Sequence, residues 1–163
     1  IFVGPCAAKK LEAIRADIRS DVDFVLTFEE LQGMFEAKEI DFSAIEEKNY
    51  LNEGTGAGRG FAVSGGVAKA VTELIRSQHP DLEVQTARAE GLRECRKLMA
   101  LAKAGKFKGC LLEGMACRGG CVAGAGTILP VDKAAKLVEK YSREAAAASP
   151  TESAYCGRGE SLD

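Results

Sequence analysis

The chain has 163 residues, 46% of them hydrophobic and 28% charged, with a formal net charge of −2. That length fits one domain with a sizeable core, since about 150 residues bury about 70% of their unfolded surface. The near-neutral charge argues against a nucleic-acid-binding surface, which carries a marked basic excess, and no apolar run approaches the ~20 residues of a membrane span.

No charged segment followed by an apolar core marks a signal peptide, so a cytoplasmic location is expected. The chain opens at Ile1, directly in the apolar "IFV", and reads as the middle of a longer protein.

In chain order, "IFV" is the end of a buried strand, and Pro5-Cys6 turns into a helix over residues 7–17. "VDFVLT" at 22–27 is a second strand, followed by "FEELQGMF", where Phe28, Leu31, Met34 and Phe35 fall at helical spacing. Residues 38–52 are polar and irregular, with a short helix near "SAIEE". "FAVS" precedes a helix over 67–77, "EVQTARA" is strand-like, and "LRECRKLMALAKAG" is a helix stopped by Gly105. "GCLLEG" is another short strand. Helical text resumes over 132–148, closed by "AAAAS" and Pro150. Strands alternating with helices predict a layered α/β/α fold with a mostly parallel sheet. Ligands collect beyond the carboxyl ends of such strands. "PC" and "MACRGGC" both lie there.

Six cysteines are too few for a short disulfide scaffold. Without secretory signs, clustered thiols are more often metal ligands or catalytic groups. The single histidine, His79, stands at a helix end in "SQHPD", so His triads and His-rich zinc sites are poorly supported. Cys117 and Cys121 have three residues between them, where zinc knuckles and thioredoxin-type pairs have two. Iron–sulfur clusters accept varied spacings, and Gly119 and Gly120 allow close backbone approach. A glycine-rich turn with two reduced thiols is the plain alternative. Cys6 lies between a strand end and a helix start, with Lys9 one turn on, where an ammonium could meet an anionic ligand. Cys95 shares a helical face with Leu92, Leu98, Met99 and Ala102 and reads as core, Cys110 as part of a strand, and Cys156 as an incidental thiol. Glu113 reads as a buried hydrogen-bond partner ordering the cysteine loop, and Glu12 as a solvated helix residue.

Taken together, C-x-x-K-x-x-E at Cys6, Lys9 and Glu12 and E-x-M-x-C-x-x-x-C-x-x-G at Glu113, Met115, Cys117, Cys121 and Gly124 resemble the second and third signatures of the [FeFe]-hydrogenases. The intervening "GTGAGRGFAVSGGVAKA" is similar to the family's glycine-rich segment beside the active site. The resemblance covers residues 1–129. It implies the C-terminal half of the catalytic domain over 1–148, a polar tail over 149–163, and reversible oxidation of H2 to protons and electrons. The implied cofactor is a [4Fe–4S] cubane joined to a diiron subcluster carrying CO, cyanide and azadithiolate ligands. Cys6, Cys117 and Cys121 would be cubane ligands, with Cys121 the bridge. Lys9 would hold a cyanide, Met115 and Phe61 would line the diiron pocket, and Ala62 and Ser64 would lie nearby.

Three departures stand out. Gly4 replaces the methionine of well-studied catalytic members, and this Gly-Pro-Cys form resembles the family's divergent sensory branch. The final triplet reads Gly124-Ala125-Gly126. The first signature is absent, and with it the fourth cubane ligand and the proton-relay cysteine, expected upstream of Ile1. Implied partners are the N-terminal half of the same domain, a ferredoxin-like electron carrier and maturation proteins. A non-catalytic cluster protein without the diiron unit is the alternative, beside an H2 or redox sensor. Without its other half the chain is expected to be inactive and to self-associate through an apolar face.

Overall fold

A computed structural model describes residues 1–17, 19, 21–46 and 53–156. The end of the irregular stretch to Asn52 and the last part of the tail lie outside these residues.

Strand β1 (Phe2–Gly4) leads into helix α1 (Ala8–Ala13), and the chain returns as β2 (Val25–Thr27) parallel to β1, with Val3 opposite Leu26. Helix α1 is shorter than the spacing predicts. Leu11 and Ile14 are each 70% exposed, and a short helix that buries so little apolar surface does not propagate. Helix α2 (Phe28–Ala37) starts on a capping box, in which the Thr27 hydroxyl accepts from the Glu30 N–H and the Glu30 carboxylate accepts from the Thr27 N–H. Among the described residues near the expected short helix, a 3-10 turn (Phe42–Ala44) forms.

The second part begins with α3 (Gly56–Arg59), which the sequence did not announce, and a 3-10 turn at Gly60–Ala62. Helix α4 (Gly66–Gln78) leads to β3 (Gln85–Glu90), α5 (Leu92–Lys103) and β4 (Cys110–Met115). Strands β3 and β4 pair in parallel from Gln85 opposite Cys110 to Glu90 opposite Met115. The α/β reading with parallel strands holds. Among the described residues the strands form two separate pairs, β1–β2 and β3–β4, so every strand has an open edge.

Helix α6 (Val131–Arg143) packs on α3 and the Gly60–Ala62 turn. It stops well before the end of the helix expected over 132–148, although alanine is the best helix former. The carbonyls of Ala147 and Ala148 instead accept from the Gly56 and Ala57 amides, satisfying the first turn of α3. The described end of the tail is a second capping box at Ser149 and Glu152, with the Tyr155 hydroxyl donating to Glu53.

The buried hydrophobic side chains are few and small: Ala68, Ala70, Ala89, Leu98 and Val122. Total accessible surface is 12336 Å², against about 7,800 Å² for a compact monomer of this mass. Ile1, Phe2, Val3, Leu11, Ile14 and Phe24 all contribute to the excess. This molecule has an uncovered face.

Candidate metal centre

Cys6 follows β1 through Pro5, and its carbonyl accepts from the Lys9 N–H at 3.2 Å. Cys117 and Cys121 follow β4 on the other strand pair. Both positions lie past strand carboxyl ends, where parallel sheets present ligands. One glycine-rich segment joins them. The Gly126 N–H donates to the Pro5 carbonyl at 2.9 Å, and the Gly126 carbonyl accepts from Glu29 at 3.2 Å. A Cβ on Gly124 would stand 2.2 Å from the Pro5 oxygen, and one on Gly126 2.4 Å from Thr27 Cβ. Only glycine lets these two backbones meet.

The cysteine loop also abuts the segment after α3. Gly120, at φ +95°, would carry its Cβ 2.6 Å from the Ser64 nitrogen and 2.7 Å from the Ala62 oxygen, and the Ser64 N–H donates to the Gly119 carbonyl at 3.0 Å. The sequence suggests that these glycines admit a cofactor. The structure gives them a further task, packing three backbone segments against one another. Ala62 and Ser64 therefore run along the cysteine loop. Phe61, in the turn before them, is 45% exposed, and Met115 ends β4 with its carbonyl accepting from the Gly91 N–H at 2.8 Å.

Cys6, Cys117, Cys121 and Lys9 share one electrostatic neighbourhood. Burial pushes the Cys121 thiol above its ordinary pKa, the negative charges of Cys6 and Cys117 push it further, and Lys9 pulls it back. The ammonium of Lys9 hydrogen-bonds Glu12, which holds its pKa up against partial burial, and the charges of Cys6 and Cys121 add to the rise. A thiol held protonated by its neighbours is eased into the thiolate form by a bound metal, whose positive charge adds to that of Lys9.

The donor set tests which metal. All three thiols are free, and among the described residues no group of three His, Cys, Asp or Glu side chains, these thiols included, is tight enough for a single ion. Soft thiolates, each available to a separate iron, fit an iron–sulfur cluster.

The other cysteines stand apart from this group. Cys95 Sγ donates to the carbonyls of Met115 at 3.5 Å and Ala89 at 3.6 Å, so it packs α5 onto the sheet. Its expected face is only partly inward, with Leu98 buried but Leu92 and Met99 exposed. Cys110 begins β4, at the end away from Cys117, and Cys156 is exposed in the tail.

Glu113 is buried in β4 and accepts from Gly65 N–H at 2.8 Å and Ala68 N–H at 3.1 Å. It closes the N-terminus of α4, where a carboxylate also meets the favourable end of the helix dipole. Sequence reasoning missed Glu90, whose Oε2 accepts from the Gly119 N–H at 3.0 Å. The Ser64 hydroxyl, then this amide, then Arg88 and Arg118 hold its carboxyl below the ordinary range. Its place at the carboxyl end of β3 was the available signal.

Residues 1–125 match the family described as the iron only hydrogenase large subunit, C-terminal domain. The periplasmic [Fe] hydrogenase large subunit of Nitratidesulfovibrio vulgaris is 30% identical over 77% of this chain and 38% of its own length. A probable cytosolic Fe-S cluster assembly factor of Dictyostelium discoideum is 42% identical over 32% of this chain and 11% of its own. A variant of [FeFe]-hydrogenase HydA1 from Chlamydomonas reinhardtii shares the fold, with a TM-score of 0.62 at 22% identity over 93% of this chain and 55% of that one. The chain thus spans well under half the length of the curated relatives named.

Proposed function

The chain belongs to the iron-only hydrogenase large-subunit family through its C-terminal domain, and on that premise we propose that it is one half of a site for reversible H2 oxidation to protons and electrons. The observation that carries this reading is the meeting of Cys6 and Lys9 with Cys117 and Cys121, groups from opposite ends of the chain.

In this reading Cys6, Cys117 and Cys121 hold three corners of a [4Fe–4S] cubane, with the fourth thiolate supplied from the N-terminal half of the domain. Cys121, exposed as a residue although its sulfur is partly desolvated, would be the bridge to the diiron subcluster. When bound, that CO-, cyanide- and azadithiolate-bearing unit supplies the chemistry of splitting and forming H2. The protein's part is to bind, position and shield. Lys9 stays cationic and leaves Glu12 to donate to a cyanide, a task that suits a compact ammonium. Phe61 and Met115 supply apolar walls, and Ala62 and Ser64 run beside the cysteine loop.

The open strand edges and the 12336 Å² of accessible surface support a missing cover. A two-stranded sheet is marginal alone, and parallel sheets are normally covered on both faces. The N-terminal half of the same domain is that cover, and maturation proteins are the partners that load the cofactor. Without that half the chain is inactive and self-associates. Light scattering then gives a dimer, and a strict monomer would refute the association. For the electron carrier, α5 and the turn after it offer exposed Arg93, Arg96, Lys97, Lys103, Lys106 and Lys108 with Glu94 as acidic company. Such a surface steers an acidic, ferredoxin-like partner. A cytoplasmic site of action belongs to the same proposal.

One observation favours a sensor as the second reading. Gly4 is buried, and the Phe2 ring lies 2.7 Å from where its Cβ would be. A side chain at position 4, such as the methionine of the family's catalytic members, would have to displace the Phe2 ring.

Cys117→Ser and Cys121→Ser in the whole, matured protein each abolish the cubane, because a hard alkoxide replaces a soft thiolate. Iron content reads this, and CO and cyanide bands in the infrared report the diiron unit. Unchanged iron in both variants sinks the ligand assignment. Full infrared bands with negligible H2 turnover favour the sensor.

A further inference from the structure

Two adjacent glycines separate Cys117 from Cys121 by way of Arg118, and both sit at φ +95°. Glycine is the least restrained residue, so this turn does not fix its own geometry. Inside the loop the Gly120 N–H donates to the Cys117 carbonyl at 3.1 Å. Other restraints come from outside. The Gly119 carbonyl accepts from the Ser64 N–H, and the Gly119 N–H donates to Glu90 Oε2, each at 3.0 Å. Gly119 is thus gripped on both sides. The buried Ser64 hydroxyl has no well-aligned hydrogen bond of its own, yet lies close enough to the Glu90 carboxylate to favour its charge.

We propose that Glu90 is a positioning residue, whose carboxylate pins Gly119 and so sets the separation of the Cys117 and Cys121 thiols. What the thiols hold rests on the hydrogenase reading. The pin itself does not. Glu90 reaches the loop from the last position of β3, directly opposite Met115, so it ties the loop to the most regular strand pair of the molecule. A carboxylate receiving a backbone N–H makes a stronger bond than a neutral acceptor, and it is specific in reach.

Three variants separate reach from charge. Glu90→Gln keeps an acceptor oxygen at the same distance, Glu90→Asp keeps the charge but falls one methylene short, and Glu90→Ala has neither. In the metal-free chain, alkylation of each cysteine is followed by mass spectrometry, with Cys95 as the internal report on global opening. Glu90→Asp and Glu90→Ala speed labelling of Cys117 and Cys121 by about tenfold, Glu90→Gln falls between them and the wild type because a neutral acceptor binds more weakly, and Cys95 does not change. In the matured whole protein the same two variants weaken cluster retention about tenfold, in line with loss of a partner one shell from the metal. Unchanged labelling in Glu90→Asp, or equal acceleration in Glu90→Gln and Glu90→Ala, overturns the pin. Should Glu90→Ala fail to fold, the Asp and Gln pair decides alone. A wild type that never binds iron overturns the hydrogenase reading instead, while the labelling result for Glu90 stands.

Discussion

The β3–β4 region and the β1–β2 region are built from the same parts and differ in how far each is finished. Strands β3 and β4 pair over six residues, with α4 and α5 packed on them, and among the described residues every buried hydrophobic side chain lies at or after Ala68. Strands β1 and β2 pair over three, and only Gly4 and Thr27 are buried there, neither of them an apolar side chain. The proposed ligands are divided between the two, Cys117 and Cys121 on the finished region and Cys6 on the unfinished one. The geometry of the centre therefore depends on the joint between them as much as on either part.

Breaking that joint gives the largest expected effect. Gly124→Ala places a Cβ 2.2 Å from the Pro5 carbonyl oxygen, and neither backbone has room to yield. The expected loss is about 3 kcal/mol, read by urea denaturation, with amide exchange rising first in residues 1–40. Equal protection in both regions would mean that they are not separate units.

The two signature glutamates sharpen the contrast. Glu113→Ala leaves two N–H groups at the start of α4 without their acceptor, at a cost of about 2 kcal/mol. Glu12→Ala removes a surface partner of Lys9 and stays within about 0.5 kcal/mol. Comparable losses in the same denaturation assay would erase the distinction. Cys95→Ala gives up packing and two weak thiol contacts, about 1 kcal/mol, with iron content unaltered in the whole protein.

The smallest effect belongs to acid. Lys10 and the Thr27 backbone hold the Glu30 carboxyl at about 2, below its ordinary 4.5. A depressed carboxyl contributes stability above its unfolded pKa and loses it as pH falls through the folded value. Glu30→Gln should therefore destabilise α2 at neutral pH and flatten the decline between pH 4.5 and about 2. Parallel acid profiles for the two proteins would show that Glu30 contributes nothing.

Much of this was readable from residues alone. Alternation of strand and helix text gave the α/β class, a local pattern, whereas the cysteine spacings alone left a plain glycine-rich turn open, and the proposed ligand set came only with the resemblance to the family. Thr27-Phe28-Glu29-Glu30 is a capping box that the periodicity argument passed over. What stayed hidden depends on long-range contact. The end of α6 is decided by the needs of the Gly56 and Ala57 amides, and the role of Gly124 by a carbonyl at Pro5. Glu90 looked like an ordinary strand-end charge because its partner lies in the loop after the next strand.

The latch of Gly126 on Pro5 and Glu29 has a consequence for biosynthesis. The ribosome makes the unfinished region first and the segment that fastens it roughly 100 residues later, a wait of roughly 5–20 s at ~5–20 residues per second. Through that interval β1 and β2 lack the Gly126 latch, and only chain made earlier, the upstream half proposed above, shields the edges beside Ile1, Phe2 and Val3. Slower elongation lengthens the exposure. Holdase chaperones acting on the nascent chain should raise the soluble yield more than any change made after release.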